Sequence, residues 1–195
     1  MKTIIKNTLI LLTITLVAGL ALAAVHEVTK EPIVVAQENA RDAAYSAVFT
    51  DAANFKERAG EISFESKSVT IDEVRDALDA SGANIGWVMQ VTTKEGYGGD
   101  VTLVMGVTSD GTLTGIKVIE MSETPGLGAK CTGSKFTDKF SGIKAGSVTV
   151  EEGSADNNKV DAISGATYTT NAVIGAVNAG LSYAYGSLMT GGAGE

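Results

Sequence analysis

Residues 161–170, D-A-I-S-G-A-T-Y-T-T, gather the groups in this chain best suited to chemistry with an anion. Hydroxyls stand at Ser164, Thr167, Thr169 and Thr170, Asp161 lies three residues before the first of them, and an apolar helical run follows directly. Gly165 and Ala166 keep side chains out of the way, so backbone N–H groups can approach phosphate oxygens, and the positive end of the following helix faces the same place. A threonine hydroxyl there can bind a phosphate or become bonded to one. The same letters also spell ordinary helix capping, because Ser and Thr before an apolar periodic run are common N-terminal signals. On these residues alone both readings stay open.

Two other stretches carry special backbone chemistry. Gly96-Tyr97-Gly98-Gly99 places three glycines in four residues, a loop free to take conformations that side chains resist. In Met121-Ser122-Glu123-Thr124-Pro125-Gly126-Leu127-Gly128, the Pro-Gly pair suits the two central positions of a type II turn. The remaining inventory is short. With one histidine, His26, and one cysteine, Cys131, the chain lacks the parts for Ser/His/Asp or Cys/His catalysis, a zinc site or an iron–sulfur site. Cys131 reads as a small buried residue, and no metal site is expected. No G-x-G-x-x-G follows a strand and no Walker pattern occurs, so a nicotinamide or nucleotide site of its own is not expected. A carrier or a binder remains.

The elements that must position these stretches are legible as periodicities. After a polar link at 26–30, Pro32 suits the first position of a new helix, and Ile33, Ala36, Ala40, Ala43, Ala44, Ala47 and Val48 recur at helical spacing. Residues 61–70 alternate like a strand, and 71–78 read as a short helix ended by Ser81-Gly82. Strands are expected at 85–93, 101–109 and 112–120, the last two joined by Asp110-Gly111, a strong hairpin signal. A short basic and aromatic helix is expected around Lys130, Lys135 and Lys139, short strands at 147–150 and 160–163, and a closing helix at 171–188. The tail 191–195 has too little apolar surface to fold. The fold class is α+β, an antiparallel sheet with flanking helices.

Charge and hydropathy set the address. From Thr8 to Val25 the chain is uncharged over eighteen residues, which at about 1.5 Å each just spans a hydrocarbon core. Lys2 and Lys6 precede it, so the positive-inside bias places the N-terminus in the cytoplasm and the body outside. Ala21-Leu22-Ala23 has the look of a signal-peptide cleavage site, but the apolar run is longer than such peptides carry, and a retained anchor over 1–27 is expected. A helical stalk at 28–60 and a body at 61–190 complete the division. Beyond residue 25 thirteen Lys and Arg face all twenty-three acids, a net charge of −10, which argues against nucleic acid as a partner.

Asp161-x-x-Ser164-Gly165-Ala166-Thr167 resembles the motif at which bacterial flavin transferases join FMN, through its phosphate, to the last threonine. Glu123-Thr124-Pro125-Gly126-Leu127-Gly128 and the upstream Gly96-Tyr97-Gly98-Gly99 are similar to further signatures of the same FMN-binding domain family, in the family's order. The resemblance covers roughly residues 35–188. It implies covalent FMN on Thr167, and Asp161, Ser164, Gly165 and Ala166 as the stretch read by the transferase. It also implies a flavin-covering loop in which Glu123, Thr124, Gly126, Leu127 and Gly128 lie against the cofactor, with Leu127 packing on the ring. Tyr97 and Gly98 are expected near the flavin, and Lys130 beside its pyrimidine ring. Where some relatives carry histidine, Met121 stands here. Among anchored members the chain resembles the G subunits of Rnf-type ferredoxin:NAD oxidoreductases, which implies a membrane electron relay working with other subunits. The C subunits of sodium-pumping NADH:quinone reductases are the alternative, and a non-redox extracytoplasmic module for FMN or phosphate is the alternative from another class.

Overall fold

In a computed structural model, residues 1–58, 62, 64, 66–144, 151–152 and 159–190 are described. The expected strand at 147–150, most of the alternating segment at 61–65 and the tail at 191–195 lie outside these. The chain divides into two compact units, Met1–Ala40 and Arg41–Glu195.

The first unit is helical from Lys2, within helix α1, Lys2–Val48. Leu9, Leu11, Leu12 and Ile14 point to different sides of the helix and are all more than half exposed, so apolar surface runs around the helix instead of along one stripe. Its threonines return their hydroxyls to the preceding turn, Thr8 to the Ile4 carbonyl and Thr13 to the Leu9 carbonyl at 2.9 Å each, which hides the polar atoms from a lipid phase. Among the described residues this is the one helix long and apolar enough to cross a membrane. Pro32 does not begin a new helix. It lies inside α1, because a single proline removes only one ladder bond, at a cost of about 3 kcal/mol, and no second proline or glycine stands near it.

The second unit is built on a five-stranded antiparallel meander in the order β1 (Asn54–Glu57), β2 (Val69–Leu78), β3 (Asn84–Thr93), β4 (Val101–Thr108) and β5 (Leu113–Met121). The three strands expected at 85–120 are present within a residue or so, and the Asp110-Gly111 turn closes through Thr108 N–H to the Thr112 carbonyl at 2.9 Å. Residues 71–78 are strand, not helix. The register against β3 slips between Ile71 and Glu73, a bulge that puts Ile71 and Val74 three apart on one face, while Ala77, three further on, is buried on the other, so the buried positions imitate a helical period. The β-branched Val69, Thr70, Ile71 and Val74 suit the strand. Strand β1 falls in the segment expected to be stalk.

Both faces of the sheet are covered. On one lies α3, Thr167–Tyr183, whose Val173, Ala176, Val177 and Leu181 join Met89, Val91, Leu103 and Met105 in the main core. Three short helical turns, Gly128–Thr132, α2 (Ser134–Thr137) and Asp138–Phe140, add Cys131, Phe136 and Phe140. A two-stranded parallel ribbon, β6 (Glu151–Glu152) with β7 (Lys159–Val160), leads to residues 161–166, which are not strand. On the other face Ala44, Tyr45, Val48 and Phe49 pack on Ala77, Val88 and Val104. Tyr45 donates its hydroxyl to Glu73 at 3.1 Å while Arg75 stacks 5.0 Å above its ring, and Arg41 and Arg75 both pair with Glu73.

The approach is close at Gly106. A Cβ there would collide with the Thr114 hydroxyl, which itself donates to the Val48 carbonyl, and would lie 3.1 Å from that carbonyl and 3.2 Å from the Phe49 ring. Its cross-strand partner Gly115 has only Val48 O at 4.0 Å. Gly106→Val is therefore expected to destabilise the full chain in detergent by about 1–3 kcal/mol, and Gly115→Ala to change it by less than about 0.5 kcal/mol. Urea denaturation followed by tryptophan fluorescence checks the pair. Equal midpoints would show that the sheet does not need the bare backbone at Gly106.

Candidate functional site

Three loops meet at one side chain. Glu123, 6% exposed, lies just after β5 and accepts a hydrogen bond from the Thr169 hydroxyl on Oε2 at 2.8 Å and one from the Gly98 N–H on Oε1 at 3.3 Å. The turn that carries it, the glycine loop between β3 and β4, and the first turn of α3 are thus tied to the same carboxylate. Glycine is required where they touch. A Cβ on Gly128 would land on the Glu123 carboxylate and the Thr169 hydroxyl, and one on Gly98 would enter the Ser122 carbonyl. Met121 orients the acid from behind, its sulfur accepting the Glu123 N–H at 3.4 Å.

Above this node opens a cavity of about 260 Å³. Glu123 and Gly128 form its floor, Thr124 and Leu127 one wall, residues 165–169 the facing wall, and Tyr97 and Tyr168 its rim. Pro125 and Gly126 make the expected type II turn, with Leu127 N–H bonded to the Thr124 carbonyl at 3.2 Å and Gly126 at φ +78°. Gly165, also at φ +78°, brings the facing wall so close that a Cβ would sit 3.1 Å from the Leu127 side chain. Tyr97 and Tyr168 are each 73% exposed with ring centroids 6.2 Å apart.

The hydroxyls of the motif separate by environment. Thr169 and Thr170 are buried and engaged, the latter accepting the Ile163 N–H and donating to the Ala166 carbonyl, both at 3.0 Å. Thr167 is exposed, stands first in α3 and lines the cavity. No side chain caps the helix: the N-cap is Ala166, so N–H groups of the first turn are left for another acceptor. The expectation of Ser or Thr capping is replaced by an open positive end at the wall of a cavity.

Part of the expected site is elsewhere. Asp161, Ser164 and Lys130 line a second cavity of about 450 Å³, together with Lys135, Lys139 and Phe136. Gly98 serves the Glu123 carboxylate and does not line the first cavity, where only Tyr97 of that loop appears. Gly126 shapes the turn without being in the wall. Tyr168 and the bond from Thr169 to Glu123 lie outside what the motifs single out. Tyr168 directly follows Thr167, and that adjacency was the available signal.

Residues 96–182 match the FMN-binding domain family, and residues 1–48 match the RnfG N-terminal region. Over 189 residues the sequence is 32% identical to the G subunit of the Na+-translocating ferredoxin:NAD+ oxidoreductase complex of Acetobacterium woodii, covering 91% of this chain and 89% of that one. The chain belongs to this G-subunit family. The G subunit of an ion-translocating oxidoreductase complex from Methanosarcina acetivorans is 30% identical over 184 residues, 93% of this chain and 95% of the relative. NqrC of Shewanella oneidensis superposes with a TM-score of 0.53 over 72% of this chain and 70% of its own, at 24% identity, which shows a shared fold.

In this member of the G-subunit family the cavity, at about 260 Å³, is below the ~300–1,000 Å³ usual for whole-ligand pockets, so it has room for part of an FMN and not for the whole. The uncapped helix end, the bare Gly165 and the apolar Leu127 fit a phosphate at one end and a flat ring at the other.

Cys131 lies fully buried behind this site, and burial, reinforced by the negative charge of Glu123, pushes its thiol up to about 11. Folded and unfolded chains both hold the proton below pH ~8.5, while between there and about 11 only the unfolded chain releases it, so stability falls as pH rises through that window. Cys131→Ala should remove this component of the alkaline slope in urea midpoints. An identical slope in the variant would assign the loss to other groups.

Proposed function

We propose that the chain is a membrane-anchored electron relay of an ion-translocating ferredoxin:NAD oxidoreductase complex, carrying FMN joined through its phosphate to the Thr167 hydroxyl. The single observation that carries the reading is the contrast among the threonines: Thr167 alone combines an exposed hydroxyl, a place in the cavity wall and the uncapped helix end, whereas Thr169 and Thr170 are buried and bonded. Bound there, FMN supplies one-electron transfer. The chain's own residues hold the phosphate on first-turn N–H groups, pack the ring against Leu127 and place Tyr97 and Tyr168 at its edge.

The names of the relatives, each a G subunit of a translocating oxidoreductase complex, support neighbouring membrane subunits as electron donors and acceptors. Lys2 and Lys6 ahead of the apolar helix support a cytoplasmic N-terminus and an extracytoplasmic flavin body. A flavin transferase is the maturation partner. Tethering keeps the cofactor from being lost on a side of the membrane where it cannot easily be recaptured.

When the full chain is produced with a flavin transferase, the denatured band is expected to fluoresce as flavin, with Thr167→Ala abolishing the signal and Thr169→Ala retaining it. Fluorescence that survives Thr167→Ala and disappears in Thr169→Ala would assign the bond to the other hydroxyl. The flavinylated chain, alone in detergent, should be reduced by dithionite but not by NADH at a useful rate. Rapid reduction by NADH without any other subunit would require a nicotinamide site and overturn the relay.

A further inference from the structure

The D-x-x-S-G-A-T stretch is a partition between two cavities. Its second half, with residues that follow it, walls the cavity assigned to FMN, and its first half, residues 161–164, walls the lysine-bearing one. We propose that this second cavity is the docking face for the enzyme that modifies Thr167, gripped through an acidic patch on that enzyme. The proposal rests on the reading that Thr167 is flavinylated.

Charge is the first argument. Lys130, Lys135 and Lys139 line the cavity against a single acid, Asp161, a local excess of positive charge on a body whose net charge beyond residue 25 is −10. Among the described residues Lys130 and Lys135 form no ion pair, and both are exposed. Lys139 pairs with Asp161 at 2.9 Å, but both ends are partly in water, so the pair contributes little and exchanges readily for an intermolecular one. Lysines, as mobile point charges, suit a transient encounter better than a permanent bidentate lock.

Access is the second. Asp161, Ser164, Gly165 and Thr167 are exposed, so the stretch is offered as a peptide, while Ile163 and Ala166 beneath it are buried and fix its path. The modifying enzyme has to leave the first cavity free to receive the flavin, so its grip falls on the opposite side of the partition. There Phe136 and Ile163, both buried, give a firm floor. In the step itself the Thr167 Oγ1 forms a bond to the flavin-side phosphorus of a flavin dinucleotide. The P–O bond to the nucleoside phosphate breaks, the hydroxyl proton passes to a base of the enzyme, and nucleoside monophosphate leaves. No electrons change hands.

The test uses the full chain in detergent with flavin dinucleotide in excess and transferase limiting, reading covalent flavin by in-gel fluorescence over time. Lys130→Glu with Lys135→Glu is expected to lower the initial rate about tenfold, while Lys130→Arg with Lys135→Arg stays near wild type. Independently of any variant, the wild-type rate should fall as salt is raised. A charge-reversed chain modified within about twofold of wild type, or a wild-type rate indifferent to salt, would overturn the docking face while leaving flavinylation standing. A wild-type chain that gains no flavin at Thr167 would instead remove the underlying reading, and this proposal with it.

Discussion

Glu123 keeps its carboxylate almost out of water, and among the described residues its donors are a threonine hydroxyl and a glycine N–H, with no cation in contact. Burying such a group is unfavourable unless its oxygens are satisfied, and each hydrogen bond to a charged group contributes roughly 1.5–3 kcal/mol. The consequence is mutual dependence. The glycine loop and the first turn of α3 must be in place for the acid to be tolerated, and the acid fixes both of them. That explains why Gly98 and Gly128 are bare: each stands where any side chain would separate the carboxylate from its donors or the loops from one another.

The node could not be positioned by loops alone. It hangs between the end of β5 and the start of α3, and both elements are fixed by a sheet whose central strands are buried on two faces. Gly180 lets α3 lie so close to β4 that a Cβ would come within 3.1 Å of the Met105 methyl. On the other face the segment from Arg41 onwards is held by packing around Tyr45 and by paired charges at Glu73. Burial and the neighbouring Glu73 raise the Tyr45 hydroxyl well above the usual phenol range, so it stays a donor at any physiological pH.

Legibility in the sequence followed the physics of each element. Strands β3, β4 and β5 announce themselves because segments rich in β-branched residues and an Asp-Gly turn leave few alternatives. Strand β2 does not, because a bulge and burial on both faces give its buried positions a spacing of three, which outweighs the β-branched residues as a signal. The site was readable as three motifs, and Thr124, Leu127, Gly128, Gly165, Ala166 and Thr167 do meet in one cavity. Lys130 does not, since the helical turn at Gly128–Thr132 rotates it to the opposite side of residues 161–164. Linear proximity to a loop says little about direction once a helical turn intervenes. Likewise nothing in the order of letters distinguishes a hydroxyl that lines a cavity from one that closes a buried bond.

That distinction is what the geometry of a helix start provides. Thr167 and Thr169 are two residues apart, about 200° around the axis, so the two hydroxyls do not share one direction: Thr169 is buried on Glu123, and Thr167 is exposed. Thr170 bonds back to the Ala166 carbonyl and receives the Ile163 N–H, which fixes the segment entering the turn relative to the helix leaving it. The two inner threonines thus hold the first turn rigid, and with Ala166 unable to cap it the remaining donors stay open beside the outer one. A motif rich in hydroxyls is then a division of labour: inner hydroxyls build the helix end, and the outer one is left at an electropositive edge where an attached phosphate would complete the cap that the sequence omits.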